Sequence, residues 1–168
     1  TEYSYLNGGA LSFFSFSSSY CKMSSDAKYI SLAGNGDATS KLGSIFIFKH
    51  NEAQKTYLLD QEFTGEELQL AIPGFTNYLG NYHYMSRDGK YMTTGQNYGL
   101  GSGSVFVFKR NPSTEKIEFY QNLSSYITNY YMYMVSPVSN DGMYLVIGTS
   151  QHITYPNTTH FQSYMELK

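Results

Sequence analysis

Three times along this chain a Ser-x-Asp turn is followed by a tyrosine and an apolar run: Ser24-Ser25-Asp26-Ala27-Lys28-Tyr29, Ser86-Arg87-Asp88-Gly89-Lys90-Tyr91 and Ser139-Asn140-Asp141-Gly142-Met143-Tyr144. A second landmark lies downstream of each. Ser44-Ile45-Phe46-Ile47-Phe48-Lys49 is echoed by Ser104-Val105-Phe106-Val107-Phe108-Lys109 and more loosely by Ser163-Tyr164-Met165-Glu166-Leu167-Lys168. Two landmarks recurring in one order define a repeat, and a repeat too small to bury its own apolar face must stack on its neighbours. Asp26, Asp88 and Asp141 stand 62 and 53 residues apart, somewhat above the roughly 40–50 of familiar four-stranded propeller blades.

The composition fits many short strands. There are 18 Tyr and 11 Phe but no Trp, and only 14% of the 168 residues are charged. Tyr and Phe suit pleated, half-buried surfaces. The 15 Gly, with Ser and Asn between the apolar runs, supply tight reversals. A net charge of -2 gives no electrostatic reason to expect nucleic acid or an anionic membrane as partner. No apolar run of about eighteen residues exists, so membrane insertion within this segment is not expected. Cys21 is the single cysteine and reads as a small buried core residue.

Each repeat resolves into up to four strands. In the second, residues 81–86 and 91–94 flank the Asp88-Gly89 turn, a Gly-rich loop follows, and 104–109 and 116–122 complete the unit. The first has 19–24, 29–33, 44–50 and 56–63; the third has 131–135, 144–147 and 161–167. Thr64-Gly65-Glu66-Glu67 is a capping-box pattern stopped at Pro73-Gly74, which allows at most two helical turns between units. The fold expected is all-β, built of β-propeller blades of four-stranded antiparallel sheets. About three blades are present, as part of a larger propeller or assembly, because closed propellers need four to eight. The expected division is an outer strand of a preceding or closing blade over 1–10, blade one over 11–64, blade two over 75–123 and an incomplete blade three over 124–168.

These residues resemble the FG-GAP-like β-propeller repeat. Ser86-Arg87-Asp88-Gly89 and Gly103-Ser104-Val105-Phe106-Val107-Phe108 match its pattern, whereas Leu79-Gly80 stands at its Phe-Gly and Gly95-Gln96-Asn97 replaces its Gly-Ala-Pro. The resemblance implies a non-catalytic interaction or structural module of extracellular or cell-surface proteins, integrin heads among them, and not an enzyme. The expected partner is a protein or glycan, further copies of the chain, or the rest of a longer chain. Two alternatives stand beside it: a propeller-scaffolded hydrolase or lyase with its active residues on other blades, and a calcium-dependent adhesion domain. For calcium, the nearest pattern is Gly34-Asn35-Gly36-Asp37, poorer in carboxylates than a calcium loop requires.

Little else suggests chemistry. Asp26, Asp88 and Asp141, with Gly89 and Gly142, read as structural turn residues, since Asp in a hairpin accepts hydrogen bonds from its own backbone. His50, His83, His152 and His160 share no metal-ligand spacing. No cofactor or metal site is expected. Tyr78, Tyr82, Tyr84, Tyr130, Tyr131 and Tyr133 are candidates for an aromatic contact surface, because tyrosine brings large area at low entropy cost. Asn122 and Asn157 begin N-glycosylation sequons in predicted loops and point toward secretion.

Overall fold

A computed structural model describes residues 15–35, 43–72, 79, 82–96, 104–123, 130–135, 139, 144–151 and 159–166. Among these, eleven strands and one helix are present. The first sheet holds β1 (Ser15–Met23), β2 (Tyr29–Asn35), β3 (Ser44–Asn51) and β4 (Thr56–Thr64) in sequence order. The second holds β5 (Tyr82–Met85), β6 (Tyr91–Gln96), β7 (Ser104–Arg110) and β8 (Ile117–Asn122), again in sequence order. The third contains β9 (Tyr130–Val135), β10 (Tyr144–Gln151) and β11 (Thr159–Glu166). Every pairing is antiparallel. The first strands converge, β1 beside β5 and β5 beside β9, so the sheets are blades set around an axis. The fold is that of β-propeller blades. The strand expected within residues 1–10 lies outside the described residues.

Alternation along the third strands explains how the blades stack. Successive side chains point to opposite faces. Ile45 and Ile47 therefore join the cluster between blades one and two, where they meet Phe106, Phe108, Met85 and Met92. Phe46 and Phe48 belong to a second cluster with Ile30, Leu32 and Tyr57. Both faces of β3 are buried, which is why its sequence is continuously apolar instead of alternating. Burying one such side chain is worth about 1.5–3 kcal/mol.

The short helix α1 (Gly65–Ala71) forms where the capping box stands. The Thr64 hydroxyl accepts from the Glu67 amide at 3.2 Å, and the Glu67 carboxylate accepts from the Thr64 amide at 3.4 Å. Buried Leu68 and Ile72 tie it to the inter-blade core.

Three details depart from the sequence reading. In blades one and two the strand-two tyrosine pairs with a lysine, Tyr29 with Lys49 and Tyr91 with Lys109, whereas Tyr144 pairs with Glu166. Glu166 thus takes the place of Lys49, and the loose echo at 163–168 is two residues out of register. At this end the slip of two leaves side chains on their original face, so hydrophobic alternation cannot detect it; past the bulge between Leu145 and Ile147 the offset becomes three, since Ile147 pairs with Gln162. Secondly, Cys21 is exposed on β1 instead of buried. Thirdly, both outer strands carry one extra residue at the same level. Phe48 pairs with Leu59 but Ile47 with Gln61, and Phe108 pairs with Phe119 but Val107 with Gln121. Asp60 and Tyr120 are the bulged residues.

Candidate functional site

The repeated turns are closed by their own side chains. Asp26 Oδ1 accepts from the Ser24 hydroxyl at 2.6 Å and the Lys28 amide at 3.0 Å, while Ser24 Oγ accepts from the Tyr29 amide at 3.0 Å. Asp88 repeats this with Ser86 Oγ at 2.7 Å and the Lys90 amide at 3.0 Å, and Ser86 Oγ accepts from Tyr91 at 2.8 Å. The Ser24 hydroxyl, then the Lys28 amide, hold the Asp26 carboxyl below its ordinary range. At Asp88 burial opposes ionisation, but the Lys90 amide and the Ser86 hydroxyl outweigh it. Ser139 Oγ likewise accepts from the Tyr144 amide at 2.9 Å; Asp141 and Gly142 lie outside the described residues. Gly89 has φ +71°, and Ala27 at the matching position has φ +56°.

On the same side of the blades, blade two is stitched to blade one. The Ser25 amide donates to the Arg87 carbonyl at 2.7 Å. The Arg110 guanidinium lies 3.5 Å above the Tyr29 ring and donates to the carbonyls of Gly89 and Glu115. Glu115 accepts from Lys28 at 2.8 Å and Lys49 at 2.5 Å. These two lysines, Lys28 first, pull the Glu115 carboxyl down to about 2. Farther out, Lys116 meets Asp60 at 2.7 Å, and Gln61 exchanges hydrogen bonds with the backbone of Ile117 at 2.7 and 3.0 Å. These contacts fix the angle between blades. A cleft of about 390 Å³ beside the first turn is lined by Asp26, Ala27, Lys28, His50, Glu52 and Tyr57. Its His50–Glu52 pair, at 3.0 Å, is largely solvent-facing on the Glu side.

Nearer the axis a different constellation interrupts the apolar interface. Lys22 on β1 and Ser31 on β2 are direct cross-strand partners, as are His83 on β5 and Thr94 on β6. Such partners share a face, with Cβ atoms about 5 Å apart. The two pairs meet where Ser31 Oγ lies 3.0 Å from His83 Nε2. Ser31, His83 and Thr94 are all buried. Burial first, then the Lys22 charge, push His83 down to about 4, so the ring is neutral at neutral pH. His83 Nδ1 and Thr94 Oγ1 are buried without a hydrogen-bond partner. Most buried polar atoms have one. The Lys22 ammonium sits 4.8 Å from the Tyr84 ring centroid. The members of this cluster are scattered along the chain, so no local pattern joins them; the signal the sequence carries is Ser31, His83 and Thr94, polar residues in the interiors of strands.

The other expected positions are dispersed. Tyr84 is half-buried under Lys22. Tyr82 lies on β5; Tyr130 and Tyr131 pair with Gln151 and Ser150 on β10, and Tyr133 falls at a register shift. Tyr78 and Asn157 lie outside the described residues. Asn122 closes β8 instead of lying in a loop, beside fully buried Leu123. Exposed aromatics not anticipated are Phe119, Tyr120 and Tyr144. Among the described residues no three His, Cys, Asp or Glu side chains are grouped to hold a metal, and no helix is long and apolar enough to cross a membrane.

The sheets and their stitching define a protein of the β-propeller class. Within it, the chain is similar to the periplasmic gluconolactonase of Pseudomonas aeruginosa, with TM-score 0.51 and 14% identity over 78% of this chain and 36% of that one. Proteins described as putative 6-phosphogluconolactonases from Bacteroides fragilis and Bacteroides uniformis align with TM-scores of 0.44 and 0.45, identities of 14% and 12%, and coverage of 78% and 88% of this chain and 34% and 40% of theirs. The chain therefore spans little more than a third of these structures. No family profile and no curated protein sequence matches it. At such identities the first likeness establishes architecture.

It also corrects the FG-GAP expectation. The matched residues close a hairpin and fill a two-sided strand, which any four-stranded blade requires, and the architecture is shared with a lactonase. The expectation of a non-catalytic adhesion or structural module, drawn from that resemblance, falls with it.

Proposed function

We propose that this chain forms part of a propeller-scaffolded hydrolase acting on a sugar lactone, in a ring completed by further blades. The observation that supports this reading is the overlap of its blades with those of a periplasmic gluconolactonase over 78% of the chain. Hydrolysis of a lactone adds water across the ring ester and leaves a hydroxy acid, so the protein must accommodate an oxyanion. Among the buried polar side chains, Ser31, His83 and Thr94 stand together on the inner strands beside half-buried Lys22, which makes this cluster the candidate place for it. A compartment outside the cytosol accompanies this proposal, in keeping with the periplasmic neighbour.

The test is hydrolysis of glucono-1,5-lactone by the assembled full-length protein, followed with a pH indicator against the spontaneous rate. Acceleration proportional to protein concentration is expected. A well-folded, complete ring that leaves the spontaneous rate unchanged, with the phosphorylated lactone as well, would overturn the reading.

A further inference from the structure

Between the inner strands of blades one and two, four polar side chains occupy an otherwise apolar seam. Around them lie Ala33, Ile45, Ile47, Met85 and Met92. Two cross-strand pairs, Lys22 with Ser31 and His83 with Thr94, face each other and are joined at one point by the Ser31–His83 contact of 3.0 Å. Three features of this arrangement are unexplained by blade packing alone. His83 Nδ1 has no partner, Thr94 Oγ1 has none, and both are buried. In addition, no ion pair with a carboxylate is formed by Lys22 among the described residues. Leaving a buried donor unsatisfied costs about 1–3 kcal/mol. A seam made only for packing would carry apolar side chains here.

We propose that the facing pairs Lys22–Ser31 and His83–Thr94 form a binding site for a small oxyanion, with the Lys22 ammonium, the His83 Nδ1–H and the Thr94 hydroxyl as its donors. In this site the contact of 3.0 Å is taken by the tautomer in which the Ser31 hydroxyl donates to Nε2 and the ring proton stands on Nδ1. A neutral imidazole with that proton is a donor without adding a second buried cation beside Lys22. Lys22 and Tyr84 are both half-buried, and the Lys22 ammonium rests in a cation–π contact 4.8 Å from the Tyr84 ring, on the residue next to His83 in β5. For the identity of the anion the proposal rests on the hydrolase reading, which supplies the carboxylate of a sugar acid; the donors themselves accept any compact oxyanion.

The experiment titrates the full-length protein with gluconate and, separately, with inorganic phosphate at neutral pH, reading the His83 ring resonances by NMR. Saturable shifts are expected, weakened about tenfold or more in Lys22→Gln and in the near-isosteric Thr94→Val, and unchanged in Lys49→Gln. A preference for gluconate identifies the sugar-acid carboxylate as the occupant; a preference for phosphate supports the site and assigns it an inorganic ion. Absence of a saturable His83 shift with either anion, or a shift that both Lys22→Gln and Thr94→Val retain, overturns the site. Lactone turnover measured in the same preparations separates the two readings. Turnover without anion binding here would refute the site alone, and binding without turnover would leave the site standing while the hydrolase reading failed.

Discussion

Ala27 and Gly89 occupy matching positions in the first two hairpins, and exchanging their identities tests the repeat quantitatively. Both residues are left-handed, at φ +56° and +71°. An L side chain there costs roughly 1–2 kcal/mol, whereas glycine gives up about 0.5–1 kcal/mol through its greater freedom when unfolded. Ala27→Gly should therefore stabilise the protein by about 0.5–1 kcal/mol. Gly89→Ala meets the opposite balance and a steric term as well. A Cβ on Gly89 would lie 3.1 Å from Tyr29 Cδ2 and 3.3 Å from Ser24 Cβ. Tyr29 cannot withdraw freely, because Arg110 covers its ring at 3.5 Å. The loss should reach about 1–2 kcal/mol, the upper part coming from displaced Tyr29. Urea denaturation followed by far-ultraviolet circular dichroism reads both changes as shifts in midpoint at constant slope. If Ala27→Gly lowers the midpoint while Gly89→Ala leaves it in place, the two turns are not equivalent and the argument from backbone strain is wrong.

Three further outcomes are expected. Phe106→Ala should cost about 3–5 kcal/mol in the same urea experiment, since its ring is fully buried between blades; a loss below 1 kcal/mol would contradict the inter-blade core. Glu115, held at about 2 by Lys28 and Lys49, contributes stability that is complete above the unfolded value near 4.5 and is lost as pH falls through about 2; an NMR titration finding its carboxyl near 4.5 would show those contacts absent in solution. His83 is depressed to about 4 from 6.5, so between those values the unfolded chain binds the extra proton and acidification removes up to about 3 kcal/mol. That slope should flatten in His83→Gln, and an unaltered slope would place the ring in water.

Much of the blade was legible because its determinants are local. The Ser-x-Asp turn closes through hydrogen bonds within six residues, the Thr64–Glu67 capping box needs only one helical turn, and the continuous apolar run of Ile45 to Phe48 reports burial on both faces. What escaped was set by strand register and by neighbours distant in sequence. The slip of β11 is two residues beside Tyr144 and three past the bulge between Leu145 and Ile147, and both are set by pairing with β10, which no periodicity within β11 reveals. The exposure of Cys21 depends on which part of β1 is covered. The inner cluster brings Lys22 and Ser31 to His83 and Thr94 from separate blades, through pairings that only the folded sheets display. The family resemblance misled for a related physical reason: hairpin closure and inter-blade packing impose similar residues on propellers with different tasks.

The bulges at Asp60 and Tyr120 make the outer strands poor templates for edge-to-edge growth. An unbroken outer strand would offer an incoming chain a regular ladder of free amide and carbonyl groups, the route by which β-proteins grow into fibrils. One surplus residue at the same height in β4 and β8 twists that ladder out of line. Asp60 also presents its carboxylate to Lys116 on the adjacent blade, so the kink that spoils lateral growth helps bind one blade to the next.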